Sequence, residues 1–227
     1  MQKIGSAIFL LGTMFIGICS IVLPANAAPD GAKQKLPPDP TASFMLVASR
    51  DLSDQRFSET VILVTRLRHK IPIGIIINLP QQLTLDKIHP ELPEAETLKL
   101  FAGGPVNPKQ VSYLFKSDEE VHGPLQISEQ LYFSNDITLL GKLLSGERSH
   151  QGLKVVNGFS AWAPTQLENE VSRGDWLIQP IDEDAIFNLP PEKIWPELHH
   201  RANIQYTAVE YPVLARHITN PDAGRLF

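Results

Sequence analysis

Thr60–Thr65 (TVILVT) and Ile73–Ile77 (IGIII) are two short runs that are apolar or β-branched at nearly every position, joined by the charged segment Arg66–Lys70. Runs of this length suit strands better than globular helices, and β-branched side chains fit a pleated surface better than a helical turn. Neither run alternates apolar with polar residues, which implies cover on both faces. The pair predicts a buried β-hairpin.

Around this hairpin, the other elements follow no steady order. Phe44–Ala48 reads as a strand followed by a polar turn at Asp51–Asp54. Thr84 suits the N-cap of a short helix through Ile88, which Pro90 ends. Leu98–Ala102 is a strand entering the turn Gly103-Gly104-Pro105, Val111–Phe115 is another, and Gln126–Phe133 holds one or two more. Asp136 caps a helix carrying Ile137, Leu140 and Leu144 and closing near Gly146. Leu153–Val156 is a strand. Pro164 suits the first position of a helix with Leu167 and Val171 on one face, Arg173 in its last turn and Gly174 beyond its end. Trp176–Gln179 is the last core strand, and Asp182–Phe187 and Glu192–Leu198 are short helices. Strands and helices mixed without βαβ alternation predict an α+β fold.

The first 27 residues form a separate object. Lys3 precedes an uncharged, mainly apolar run from Ile4 to Leu23, Pro24 breaks it, and Ala25-Asn26-Ala27 fits a small-x-small cleavage site. This predicts a signal peptide over 1–27, an exported protein and a periplasmic location. If uncleaved, the run is about long enough to anchor the chain in a membrane. Residues 28–42 read as a flexible spacer, 43–200 as the domain and 201–227 as a C-terminal extension. Cleavage removes Cys19, the only cysteine, and with it any thiolate metal site or cysteine nucleophile. It also removes Lys3, leaving 19 basic against 25 acidic residues and a formal charge of −6. An acidic chain argues against a nucleic-acid partner, because binding one depends on neutralising phosphates.

Ordered stretches across about residues 44–200 resemble the AlgH/YqgE-like family. They are FMLVAS from Phe44 with LSDQRF from Leu52, GIIINLP from Gly74, Leu85 with Pro90-Glu91-Leu92-Pro93, and AGGPV from Ala102. GFSAWAPTQLE from Gly158, Gly174-Asp175-Trp176-Leu177 and Pro190-Pro191 to Trp195 complete the set. The resemblance implies a bent sheet folded into a pseudo-barrel with flanking helices. Through the family name it also implies a role in regulating alginate production, with no mechanism attached. The chain departs from the family pattern at Leu79, where an arginine is usual, and at Ala161, Ala163 and Thr165, where glycines are usual. Family members are usually cytoplasmic, so the leader is a further departure.

Several residues qualify as site candidates. Gly103-Gly104 can present backbone N–H groups to an anion, although the segment lacks the Lys-Ser/Thr of a phosphate loop. Ser160, in Gly158-Phe159-Ser160-Ala161-Trp162, stands where a nucleophile would lie on a sharp turn. Asp175, Asp182, Asp184 and then His199, His200 or His217 follow it in hydrolase order. Trp162, Gln166, Glu168 and Trp176 converge at a helix start and a strand, and Asn78 follows the buried strand; these suit a ligand groove. The competing reading makes the tryptophans core residues with satisfied N–H groups. The histidines lack metal-ligand spacing, so neither a metal nor another cofactor is expected. The expected partner is a small molecule or a protein, with a serine hydrolase and a gene regulator as alternatives.

Overall fold

The structure, a computed structural model, describes residues 34–39, 41–66 and 71–210. The predicted signal peptide, His217 and the end of the chain lie outside these residues. The expected hairpin is present: β2 (Val61–Arg66) pairs antiparallel with β3 (Pro72–Ile76), with Ile62 opposite Ile76. On its other edge β2 pairs with β1 (Phe44–Ala48), every residue of which is buried. Two further strands, β4 (Pro80–Thr84) and β5 (Lys99–Ala102), form a small antiparallel pair. Between them lies a 3₁₀ turn over Leu85–Lys87. Thr84 stands at its N-cap position, with its hydroxyl turned to the Asp86 carboxylate.

The remaining strands are β6 (Val106–Lys116), β7 (Leu125–Gln126), β8 (Leu131–Ser134), β9 (Gln151–Ala161) and β10 (Trp176–Gln179). The main strand path is β10-β1-β2-β3-β9-β6-β8-β7. It curls into a half-barrel flanked by helices, an α+β fold. β9 joins the two halves: its beginning pairs with β6 and its end, Ser160 and Ala161, pairs with β3. β5 lies parallel against its middle, through Phe101–Val156 and Ala102–Asn157.

β6 and β9 are both longer than the apolar runs that predicted them. Val106 pairs with Phe159 and Val111 with Asn157, so β6 spends five steps where β9 takes two. Asn157, buried inside this bulge, donates to the Pro108 carbonyl (2.8 Å) and accepts from Gln81 (2.7 Å). Such local satisfaction is what a bulge requires of the backbone groups it frees.

Among the described residues, four helices flank the sheet: α1 (Ile137–Leu144), α2 (Gln166–Arg173), α3 (Glu183–Phe187) and α4 (Pro191–Glu210). Asp136 caps α1, accepting from the N–H groups of Thr138 and Leu139, and Asp182 caps α3 through Ala185. Pro164 falls outside α2, which begins two residues later. α4 continues through Pro196 and past residue 200, where the sequence suggested an extension. It does so because Ile194, Trp195, Leu198 and Ala202, at helical spacing, are all buried against the sheet. Part of the expected spacer is also tied down: Gln34 accepts from the Ile178 N–H on edge strand β10, and Leu36 packs on the core.

Two apolar clusters fill the interior. One combines β1–β3 with the inner faces of α2, α3 and α4; the other gathers Leu100, Tyr113, Phe115, Leu140 and their neighbours under β6, β8 and α1.

Candidate functional site

The site begins with the geometry of α2. Leu167 and Val171 lie one turn apart and are buried, anchoring the helix to the sheet. Gln166, Glu170 and Arg173, spaced i, i+4 and i+7, form the flank beside that stripe and face the ends of β9 and β10. Glu170 binds three donors. Its Oε2 accepts from the indole N–H of Trp162 (2.9 Å) and of Trp176 (2.9 Å), and its Oε1 accepts from the Gln166 amide (2.8 Å). Gln166 in turn accepts from the Ala163 N–H (3.0 Å), which ties the clamp to the helix start.

Opposite α2, the loop after β1 supplies Asp54, Arg56 and Phe57, the β5–β6 link supplies Pro105, and the start of β6 supplies Val106. Between the walls is a cleft of about 190 Å³, with Ser160 among its lining residues. Arg56 grips Asp54 at two points, 2.6 and 3.0 Å, and this hydrogen bonding holds the Asp54 carboxyl below its usual range. Arg173 pairs with Asp175 at 2.6 Å. The Phe57 ring meets the Trp176 ring edge-on at 6.0 Å. Ser160 lies within β9, opposite Gly74 of β3, at 3% exposure, and its hydroxyl has no hydrogen-bond partner.

Residues 45–207 match the family model described as AlgH-like. The chain belongs to the AlgH-like family. Among its relatives, a UPF0301 protein of Methylococcus capsulatus is 32% identical over 160 residues, which cover 68% of this chain and 85% of that protein. One from Parabacteroides distasonis is 26% identical over 176 residues, 76% and 89% of the respective chains. The fold is that of the AlgH protein of Pseudomonas aeruginosa in its solution structure. The TM-score is 0.61 at 23% identity, over 82% of this chain and 97% of that one. A Corynebacterium diphtheriae protein, solved by crystallography, gives a TM-score of 0.61 at 20% identity, over 74% and 89%.

In this AlgH-like chain the cleft gathers Ser160, Trp162, Gln166, Asp175 and Trp176 from the residues the sequence singled out, with Asp175 paired to Arg173. Both tryptophans are buried with their N–H groups satisfied, and both also line the cleft. Glu168 is exposed on the far flank of α2, two residues from the glutamate that holds the indoles. Asn78 braces the backbone: its side chain accepts from the Val61 N–H (2.8 Å) and donates to the Glu59 carbonyl (2.9 Å).

Gly103 and Gly104 form a crossing point of the backbone. The Gly103 N–H donates to the Asn157 carbonyl, so it is not offered to an anion, and the Gly103 carbonyl accepts from the Ile76 N–H. A Cβ on Gly103 would lie 2.3 Å from the Gly158 carbonyl oxygen, and one on Gly104 2.3 Å from the Phe159 carbonyl carbon. The sequence reading missed Asp54, Arg56, Glu170 and Arg173. The spacing of Gln166, Glu170 and Arg173 was the signal that could have found two of them.

The hydrolase geometry does not assemble among the described residues. Ser160 sits inside a strand, not on a turn, and bonds to no base. His199 packs against Trp195 with the rings tilted 39° and their centroids 4.9 Å apart, and has its Nδ1 against Asn203 (3.0 Å). Burial, with Arg50 and His200 nearby, keeps His199 below the usual histidine pKa. No group of three or more His, Cys, Asp or Glu side chains among the described residues is placed to hold a metal ion.

Proposed function

We propose that this chain is a non-enzymatic binding or accessory protein of the cell envelope, and that its ligand enters the cleft beside α2. The observation that carries this reading is Ser160, a residue of the cleft lining that is 3% exposed and whose covered hydroxyl has no partner. A buried hydroxyl left unpaired costs about 1–3 kcal/mol, a cost that a polar ligand atom would remove. The same hydroxyl supports binding over hydrolysis, because a nucleophilic serine needs a base within hydrogen-bond reach. Support for the envelope comes from the leader predicted over residues 1–27 and from a chain that is free of cysteine beyond it. The excess of acidic over basic residues in the chain also weighs against the gene-regulator alternative.

Cell fractionation with intact-mass analysis tests the location. The expected species is soluble, resides in the envelope and begins at Ala28; a full-length cytoplasmic species overturns the assignment and restores the regulator. Fluorophosphonate labelling tests the chemistry. Labelling of wild type but not of Ser160→Ala would replace the binding reading with the hydrolase.

A further inference from the structure

We infer that the cleft receives a cationic nitrogen group, an alkylammonium or a guanidinium, carried by a small free amine or by a lysine or arginine side chain of a protein partner. This rests on the reading of the cleft as a binding site and names the chemistry it takes.

The charges lining the cleft do not cancel. Arg56 is held by Asp54 and Arg173 by Asp175, each at 2.6 Å. Glu170 is left, and its three contacts are all with neutral N–H groups, so no cation among the described residues balances it. A carboxylate offers about four lone-pair directions. Three are filled, which leaves one on Oε1. An anionic ligand would meet this uncompensated charge, and the charge of each arginine in the lining is already balanced by a carboxylate.

The aromatic lining points the same way. Because both indole N–H groups are committed to Glu170, the small parts of Trp162 and Trp176 that reach the cleft, 5% and 2% of each residue, present ring carbon. A cation near tryptophan rings and a carboxylate is attracted by both. Ser160, one of the lining residues, adds a covered hydroxyl with no partner, whose lone pairs accept an N–H once a guest parts the side chains around it. Size restricts the guest further. About 190 Å³ is below the roughly 300–1,000 Å³ of sites for drug-sized ligands and suits a group the size of one side chain. The formal charge of −5 on the whole chain favours the approach of a cation over that of an anion.

Calorimetric and tryptophan-fluorescence titrations of the purified protein test the inference, using n-butylamine, agmatine, an acetyl-Gly-Lys-Gly-amide peptide, n-butanol, acetate and phosphate. The expected result is saturable binding of the amines or the lysine peptide, weakened by added salt, with n-butanol inert. Ser160→Ala should weaken it about tenfold, the worth of one hydrogen bond to a charged group. That variant loses no existing hydrogen bond, so its fold stability should be unchanged or higher, which separates lost binding from lost structure. Glu170→Gln should abolish binding, although it also disturbs the indole contacts and is therefore read beside Ser160→Ala. Binding of the free amines alone supports a small amine as ligand; binding of the peptide at least as tightly supports a partner's side chain. Equal binding of n-butanol and n-butylamine overturns the cationic assignment. Ser160-dependent binding of acetate or phosphate without the amines also overturns it, while leaving the cleft as a binding site. If no probe gives a Ser160-dependent signal, the inference falls together with the reading of the cleft as a ligand site.

Discussion

Lys154 lies on β9 with its ammonium inside the molecule, at 7% exposure. Its Nζ donates to the Ile77 carbonyl at 2.9 Å and sits 4.5 Å from the centre of the Phe101 ring. Burial lowers its pKa from 10.5 to about 8. Between those values the unfolded chain keeps the proton and the folded chain has released it, so stability rises with pH across that window. At roughly 1.4 kcal/mol per pH unit, the group contributes about 3 kcal/mol of this rise from pH 8 to 10.5. Urea denaturation of Lys154→Met at a series of pH values should therefore show a flatter slope than wild type above pH 8. Below pH 8 the variant should be the more stable, less about 1 kcal/mol for the orphaned Ile77 carbonyl. An unaltered slope would mean that the ammonium is solvated after all. In the sequence this lysine looks like any other in a strand; its burial follows from β9 being covered by β5 and the β3–β4 link.

At the scale of elements, α2 shows local rules and tertiary context competing. Gly174 ends it in the left-handed conformation, as the sequence predicts. Its start is irregular, because Thr165 has φ 64°, a region that costs a β-branched residue about 1–2 kcal/mol. Thr165 is also one of the positions where the family resemblance leads one to expect glycine. Thr165→Gly should raise stability by about 1 kcal/mol, seen as a higher midpoint in chemical denaturation with an unchanged slope. A loss would show that the threonine makes compensating contacts that outweigh its strain. Elsewhere the caps at Asp136 and Asp182 were legible because a cap is a local contract between neighbours. β4 was not, since Pro80–Thr84 (PQQLT) has no strand pattern and pairs only because β5 lies beside it. α4 was read too short: Pro196 looks like a stop, yet the buried Leu198 and Ala202 keep the helix on the sheet beyond it.

At the scale of the molecule, Gly103-Gly104 crosses Gly158 on β9, the strand that joins the two halves of the sheet. Backbone meets backbone there, so even one methyl group has nowhere to go. Gly103→Ala should cost about 4 kcal/mol or more, or prevent folding, as followed by circular dichroism during denaturation. Gly141→Ala in α1 serves as the control. Its added carbon meets only the end of Leu92 at 3.4 Å, and the change should stay within about 1 kcal/mol. Equal effects at the two positions would remove the crossing as the reason for the glycine. The sequence by itself determined the buried hairpin, the helix caps, the α+β class and the Leu167–Val171 stripe, because each depends on residues within a few positions of one another. It could not choose between the two flanks of that stripe. Glu168 and Glu170 lie on opposite sides of it, and nothing local distinguishes them. Only the tertiary structure, by laying α2 with its Glu170 flank toward Trp162 and Trp176, decided which carboxylate enters the cleft.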